Sequence, residues 1–128
     1  MTDTRLDERN QAEIERSASE AAKVVVKPSD RVQIERYLHP PEDTPYALEY
    51  AFHLLGDVRG KTVVDLGCGT GENLIPLIER GARVVGMDIS PDLIAIAQKR
   101  LVSSLSRQNG SVMASAASSI SCRSASWP

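Results

Sequence analysis

Val63-Val64-Asp65-Leu66-Gly67-Cys68-Gly69-Thr70-Gly71 joins a short apolar run to three glycines at alternate positions. The run Lys61 to Leu66 reads as a parallel strand buried on both faces, because such strands are near-continuously apolar. Glycine at alternate positions allows positive φ and close approach of backbone to a ligand. A helix is predicted from about Glu72 to Arg80, with Leu74, Ile75, Leu77 and Ile78 on its apolar face and Pro76 tolerable only near its first turn. Gly81 stands where a left-handed C-terminal cap belongs. Arg83 to Asp88 is the second strand. Ser90-Pro91 then opens a helix as cap plus first-turn proline, with Leu93, Ile94, Ala97 and Leu101 on its buried face. Strand, glycine loop, helix, strand and helix in that order make half of a doubly wound α/β sheet.

In such sheets ligands bind beyond the carboxyl ends of the strands, which is where the glycine loop falls. Asp88 ends the second strand 21 residues after Gly67. A carboxylate there can accept two hydrogen bonds from a ribose diol, which points to a nucleoside cofactor. A dinucleotide fingerprint would need a third glycine one residue later, but that position is Glu72. A carboxylate at the helix start would also repel a pyrophosphate. No Gly-Lys-Ser/Thr follows, which excludes a P-loop. A nucleoside cofactor without phosphate fits better, its positive groups offset by Asp65 and Glu72.

At these residues the sequence resembles the class I S-adenosylmethionine-dependent methyltransferases. Val64 to Gly71 matches that family's glycine-rich motif, and Val84-Val85-Gly86-Met87-Asp88-Ile89-Ser90-Pro91 resembles its ribose-binding strand end. The resemblance covers about Thr44 to Leu101. It implies that Asp65 supports the loop around the methionine moiety, and that Gly67 and Gly69 set backbone against the cofactor. Cys68 and Gly71 belong to the same cofactor-binding loop. It further implies that Asp88 holds the ribose hydroxyls and Ile89 lies against the adenine. The implied cofactor is S-adenosylmethionine and the implied activity is methyl transfer, with a small-molecule acceptor. No catalytic residue is assigned, because any general base would lie outside the matched half.

Ahead of the motif, Asp3 to about Val25 favours a helix and Arg31 to Leu38 a shorter one, separated by Lys27-Pro28-Ser29-Asp30. Thr44-Pro45 reads as N-cap plus first-turn proline of a helix with a buried stripe of Leu48, Ala51, Phe52 and Leu55, ended by Gly56. Tyr46, Tyr50 and His53 project almost opposite that stripe, and this second face either contacts other parts of a larger fold or borders the substrate or cofactor pocket. The divisions are a helical lead-in over 1–43, the first half of a methyltransferase domain over 44–102, and a serine-rich tail over 103–128. Ten of the last 26 residues are serine, and the tail reads as disordered or foreign to the fold. Nothing past Leu101 reads as a buried parallel strand. The expected fold class is thus α/β, a partial Rossmann-like doubly wound parallel sheet with N-terminal helices and a disordered C-terminal tail.

The whole chain has 128 residues, a formal charge of -2 and 41% hydrophobic residues. That near-neutral charge conceals -6 over the first 92 residues and +4 over the remainder. No basic field indicates nucleic acid, and no apolar run approaches the roughly 20 residues of a membrane span. Cys68 and Cys122 form no disulfide framework, and His39 and His53 lack metal-ligand spacing, so no metal is expected. The absence of a secretory leader and the two lone thiols place the chain in the cytosol. Cys68 has no histidine near it in sequence and reads as a small loop filler rather than a nucleophile. With two strands expected of a larger sheet, the chain reads as a truncated or frame-shifted methyltransferase. The alternatives are a non-catalytic cofactor-binding or interaction fragment, completed by a partner chain, and less favourably a nicotinamide-dependent oxidoreductase.

Overall fold

Three β-branched residues in succession, Thr62-Val63-Val64, favour an extended backbone over a helical one and start strand β1 (Thr62–Leu66). In the computed structural model, which describes residues 4–27, 29–106 and 120–124, β1 pairs in parallel with β2 (Arg83–Asp88). The register sets Val63 beside Val84 and Asp65 beside Gly86. On the far side of β2 runs a third parallel strand, β3 (Ile120–Ser124), giving the order β1-β2-β3. Gly86 thereby stands between Asp65 and Cys122 in one row across the sheet.

Five helices accompany the strands among the described residues. They are α1 (Thr4–Ala21), α2 (Arg31–Leu38), α3 (Ala47–Leu55), α4 (Leu74–Glu79) and α5 (Pro91–Leu105). Helices α4 and α5 are the crossovers, and a strand order that advances in one direction puts both on the same face of the sheet. That face holds the core. Val84 is fully buried, and Leu74, Ile75, Leu77, Ile94 and Leu101 close over it. Helix α1 lies on α5, and α2 lies on α4, where Arg31 reaches both carboxylate oxygens of Glu79 at 2.8 and 2.9 Å.

The α/β class, the parallel sheet and the N-terminal helices expected from the sequence are all present. The Ser90 side chain accepts the Leu93 N–H and Pro91 occupies the first turn of α5, as predicted. Gly81 follows α4 with φ +84 and donates its N–H to Ile78 O, which is the left-handed stop foreseen for it. Pro76 is the third residue of α4, where a missing N–H leaves no helical bond unmade.

Other expectations are corrected. Helix α1 stops at Ala21 rather than Val25, closing in a turn in which Lys23 N–H donates to Glu20 O and Val24 N–H to Ala21 O ahead of three successive β-branched valines. Helix α3 begins at Ala47, with Tyr46 rather than Thr44 at the cap. The Thr44 hydroxyl accepts the Tyr46 N–H and donates to buried Glu49, so it is not available to cap the helix. Arg36 ion-pairs with the other Glu49 oxygen, off a hydrogen-bonding line. That network turns α3 so that Glu49 and Phe52 face inward while Leu48, Ala51 and Leu55 are exposed. Tyr46 and Tyr50 are exposed as well. The Arg36 guanidinium covers the Tyr46 ring at 4.4 Å, and Tyr50 stacks on His53.

Strand β1 is covered on one face only, where Val63 and Asp65 are half-buried. Val64 is 52% exposed and Leu66 76%, on the side opposite α4 and α5. The sheet has three strands rather than two, and the third lies inside the serine-rich tail. Ile120-Ser121-Cys122-Arg123-Ser124 lacks an apolar run, so it gave no strand pattern; it is placed by the free edge of β2. Helix α5 also takes in Ser103 and Ser104. The rest of the tail, 107–119 and 125–128, lies outside the described residues. Among the described residues no helix is long and apolar enough to cross a membrane.

The asymmetry of the sheet is testable. Val84→Ala should lower unfolding stability by about 1–3 kcal/mol in urea titration. Leu66→Ser, on the bare face, should change it by less than about 0.5 kcal/mol.

Candidate cofactor site at the glycine loop

The loop between β1 and α4 closes onto the end of β2. The Gly67 and Cys68 N–H groups both donate to Met87 O, at 2.7 and 2.9 Å. The Gly69 N–H donates to Asp88 Oδ2 at 2.9 Å, and the Gly71 N–H donates to Cys68 O at 2.9 Å. Four of the loop's donors are therefore committed inside the protein, and the loop does not present the row of free N–H groups that cradles a phosphate. Glu72 disfavours a pyrophosphate and the missing Gly-Lys-Ser/Thr a P-loop, and the committed donors are a further physical basis against both.

Each loop glycine has positive φ, but the three serve different ends. A side chain at Gly71 would put its Cβ 2.9 Å from Ala97 Cβ and 3.2 Å from Ala97 Cα, so this glycine lets α5 close against the loop. At Gly67 and Gly69 no atom lies within 4 Å of the position a Cβ would take. Space is open there, in front of the loop.

Asp88 divides its carboxylate between two backbone donors, Gly69 N–H on Oδ2 and Ser90 N–H on Oδ1, both at 2.9 Å. It joins the loop to the cap of α5. Each oxygen still has a lone pair for a further donor. Asp65, half-buried on β1, is different, because its Oδ2 is enclosed without a hydrogen-bond partner among the described residues. Burial pushes its pKa above the usual 3.8, and the Asp88 charge adds to the rise. Cys68 is buried beneath the loop, and its thiol is pushed up to about 12 by burial, then by Cys122, Asp65 and Asp88. At neutral pH it is protonated, in keeping with a loop filler and not a nucleophile. Ile89 is half-buried between Asp88 and the capping Ser90.

The structure thus brings Asp65, Cys68, Gly69 and Asp88 together at one end of the sheet. Sequence reading missed the Met87 carbonyl, Cys122 and Arg100. The Met87 group is backbone and leaves no mark in a sequence. Arg100 does leave one, since it sits three residues after Ala97 and four after Ile96, on the buried stripe of α5. It is 6% exposed, donates to Thr70 O at 3.0 Å and to Lys27 O at 3.4 Å, and pairs with Glu72 at 3.2 Å. Glu72 is therefore a partner for Arg100.

The family described as a methyltransferase domain matches residues 63–126, from β1 through β3. The chain belongs to this family. The class I S-adenosylmethionine-dependent methyltransferase family expected from the glycine motif is borne out. The chain is 56% identical over 45 residues to magnesium-protoporphyrin O-methyltransferase of Rhodobacter capsulatus, covering 35% of this chain and 20% of that protein. It is 36% identical over 63 residues to ubiquinone biosynthesis O-methyltransferase of Nitrosomonas europaea, covering 49% and 27%. Among solved structures, geranyl diphosphate C-methyltransferase from Streptomyces coelicolor A3(2), in complex with Mg2+, geranyl diphosphate and S-adenosyl-L-homocysteine, aligns with a TM-score of 0.47. The identity is 19%, over 91% of this chain and 46% of that one. The matches to the two curated relatives span about a fifth to a quarter of their length.

Two outcomes follow for this methyltransferase domain. Gly71→Ala should cost about 1–3 kcal/mol in urea titration, from positive φ and from the Ala97 contact together. For Asp65 the folded carboxyl holds its proton above the ordinary pKa. Its contribution to stability is then whole below pH 3.8 and is lost as pH rises through the folded value. Asp65→Asn should therefore raise the melting temperature at pH 7 and leave it unchanged below that window, as read by calorimetry across pH.

Proposed function

We propose that this chain carries the cofactor-binding half of an S-adenosylmethionine-dependent methyltransferase acting on a small-molecule acceptor. The observation that carries the proposal is Asp88 at the end of β2, hydrogen-bonded to the Gly69 N–H of a loop that has open space at Gly67 and Gly69. The residues fit a nucleoside with a cationic tail. Asp88 would accept the ribose hydroxyls on its remaining lone pairs, and Ile89 would lie against the adenine. Gly67 and Gly69 leave room for the chain that links ribose to the methionine moiety, and the buried Asp65 oxygen is a ready acceptor for an ammonium. Cys68 and Gly71 shape the loop from below. A cation beside Asp65 would restore its ionised form.

Bound there, S-adenosylmethionine supplies an electrophilic methyl group on a sulfonium that departs as a neutral thioether. Methyl transfer asks the protein chiefly to hold donor and acceptor in line. The preformed loop meets the donor side of that requirement. The names of the two relatives, magnesium-protoporphyrin and ubiquinone biosynthesis O-methyltransferase, support a small-molecule acceptor.

A second reading is favoured by the exposed Val64 and Leu66 and by the outer edge of β1, which pairs with no strand among the described residues. We propose that further polypeptide covers this face and edge, and that this chain alone binds cofactor without turnover. The negative balance of the first 92 residues speaks against a nucleic-acid partner.

Titration calorimetry on the full chain tests the cofactor. S-adenosylhomocysteine should bind one per chain, and NAD should not. Asp88→Ala should weaken S-adenosylhomocysteine by about tenfold to a hundredfold. Tighter binding of NAD, or an Asp88→Ala variant of unchanged affinity, would overturn the assignment.

A further inference from the structure

Behind the glycine loop, between the α1–α2 connection, α2 and the α4–α5 pair, lies a recess of about 530 Å³. None of the seven residues assigned to the cofactor lines it. Its volume is within the range of about 300–1,000 Å³ typical of small-molecule sites. The floor is apolar, made by Val24, Ile34 and Pro76 with the Tyr37 ring.

The charges around it are unequally committed. Arg100 and Glu72 form one wall and neutralise each other. Asp30 takes the Val32 N–H at 2.9 Å as the cap of α2. Lys23 and Lys27 remain at the rim, and neither ammonium meets a carboxylate among the described residues. The Ser29 hydroxyl is enclosed at the same recess without a hydrogen-bond partner among those residues, a costly arrangement for a polar group.

We propose that this recess is a second small-molecule site, for a ligand with an apolar, ring-sized body and a single anionic group. The body packs on Val24, Ile34 and Tyr37, the anion lies between Lys23 and Lys27, and Ser29 donates its hydroxyl proton to it. The site goes beyond the cofactor reading and shares only a wall with it, through the Arg100 guanidinium bonded to Thr70 O. This recess and the nucleoside cradle are then back to back on one glycine loop.

Benzoate serves as the probe, with benzyl alcohol and benzylammonium as neutral and cationic counterparts. In amide-resolved NMR titrations of the full chain, benzoate should shift Val24, Ile34 and Tyr37 saturably, and the other two should bind more weakly. The double variant Lys23→Glu/Lys27→Glu should lose about threefold to tenfold in benzoate affinity with its melting temperature unchanged, since both side chains are exposed. Ser29→Ala should weaken benzoate while leaving S-adenosylhomocysteine affinity as it was. Equal binding of benzylammonium, shifts confined to other residues, or unchanged affinity in the lysine variant would overturn the site. S-adenosylhomocysteine titrated into the same sample reports separately at Gly69 and Gly71, so a failure there counts against the cofactor reading and leaves this one standing.

Discussion

The end of β2 holds the glycine loop in place with two neighbouring acceptors. Met87 offers its carbonyl to Gly67 and Cys68, and Asp88 offers its carboxylate to Gly69 and to Ser90. A loop of glycines has the most conformational entropy to lose, so it stays put only where its donors are matched. Because the acceptors belong to a strand locked between β1 and β3, loop geometry inherits the rigidity of the sheet. Because one of them is a side chain that also binds the first turn of α5, the helix cap and the loop are set together. Ala97 pressed against Gly71 completes the joint.

That arrangement concentrates negative charge. Asp65 and Asp88 share one end of the sheet with two thiols, and the Asp65 and Cys68 protons are held more tightly, first by burial and then by these neighbours. The nearest strong positive group of the loop, Arg100, is turned to the other side, toward Thr70 O, Glu72 and Lys27 O. The front of the loop is therefore suited to a cation with hydroxyl donors and ill suited to a phosphate, while its back is held by a buried guanidinium. A single short segment separates two chemical environments.

Much of this was legible. Strand, glycine loop, helix, strand and capped helix followed from periodicity and from glycine and proline positions, each of which acts within a few residues of chain. Asp65, Gly69 and Asp88 were found because a carboxylate at a strand end and glycines at a strand-to-helix turn have local causes. Three features escaped. Helix α3 faces the wrong way for its apolar spacing, because buried Glu49 bound to Thr44 and Arg36 outweighs the stripe of Leu48, Ala51 and Leu55. Strand β3 has no apolar run, since its place comes from the free edge of β2. Val64 and Leu66 read as doubly buried, yet no helix covers their face among the described residues.

What the sequence by itself determined is the set of local elements and the chemistry at the carboxyl ends of β1 and β2. Those depend on neighbours close along the chain and on residue types that admit few conformations. Tertiary structure alone decided which face of the sheet is covered, which way α3 turns, where a strand with weak propensity lies, and that Arg100 braces the loop from behind. Each of these depends on donors, acceptors or apolar surface brought together from distant parts of the chain, where a pattern of neighbours along the sequence carries no information about the partner.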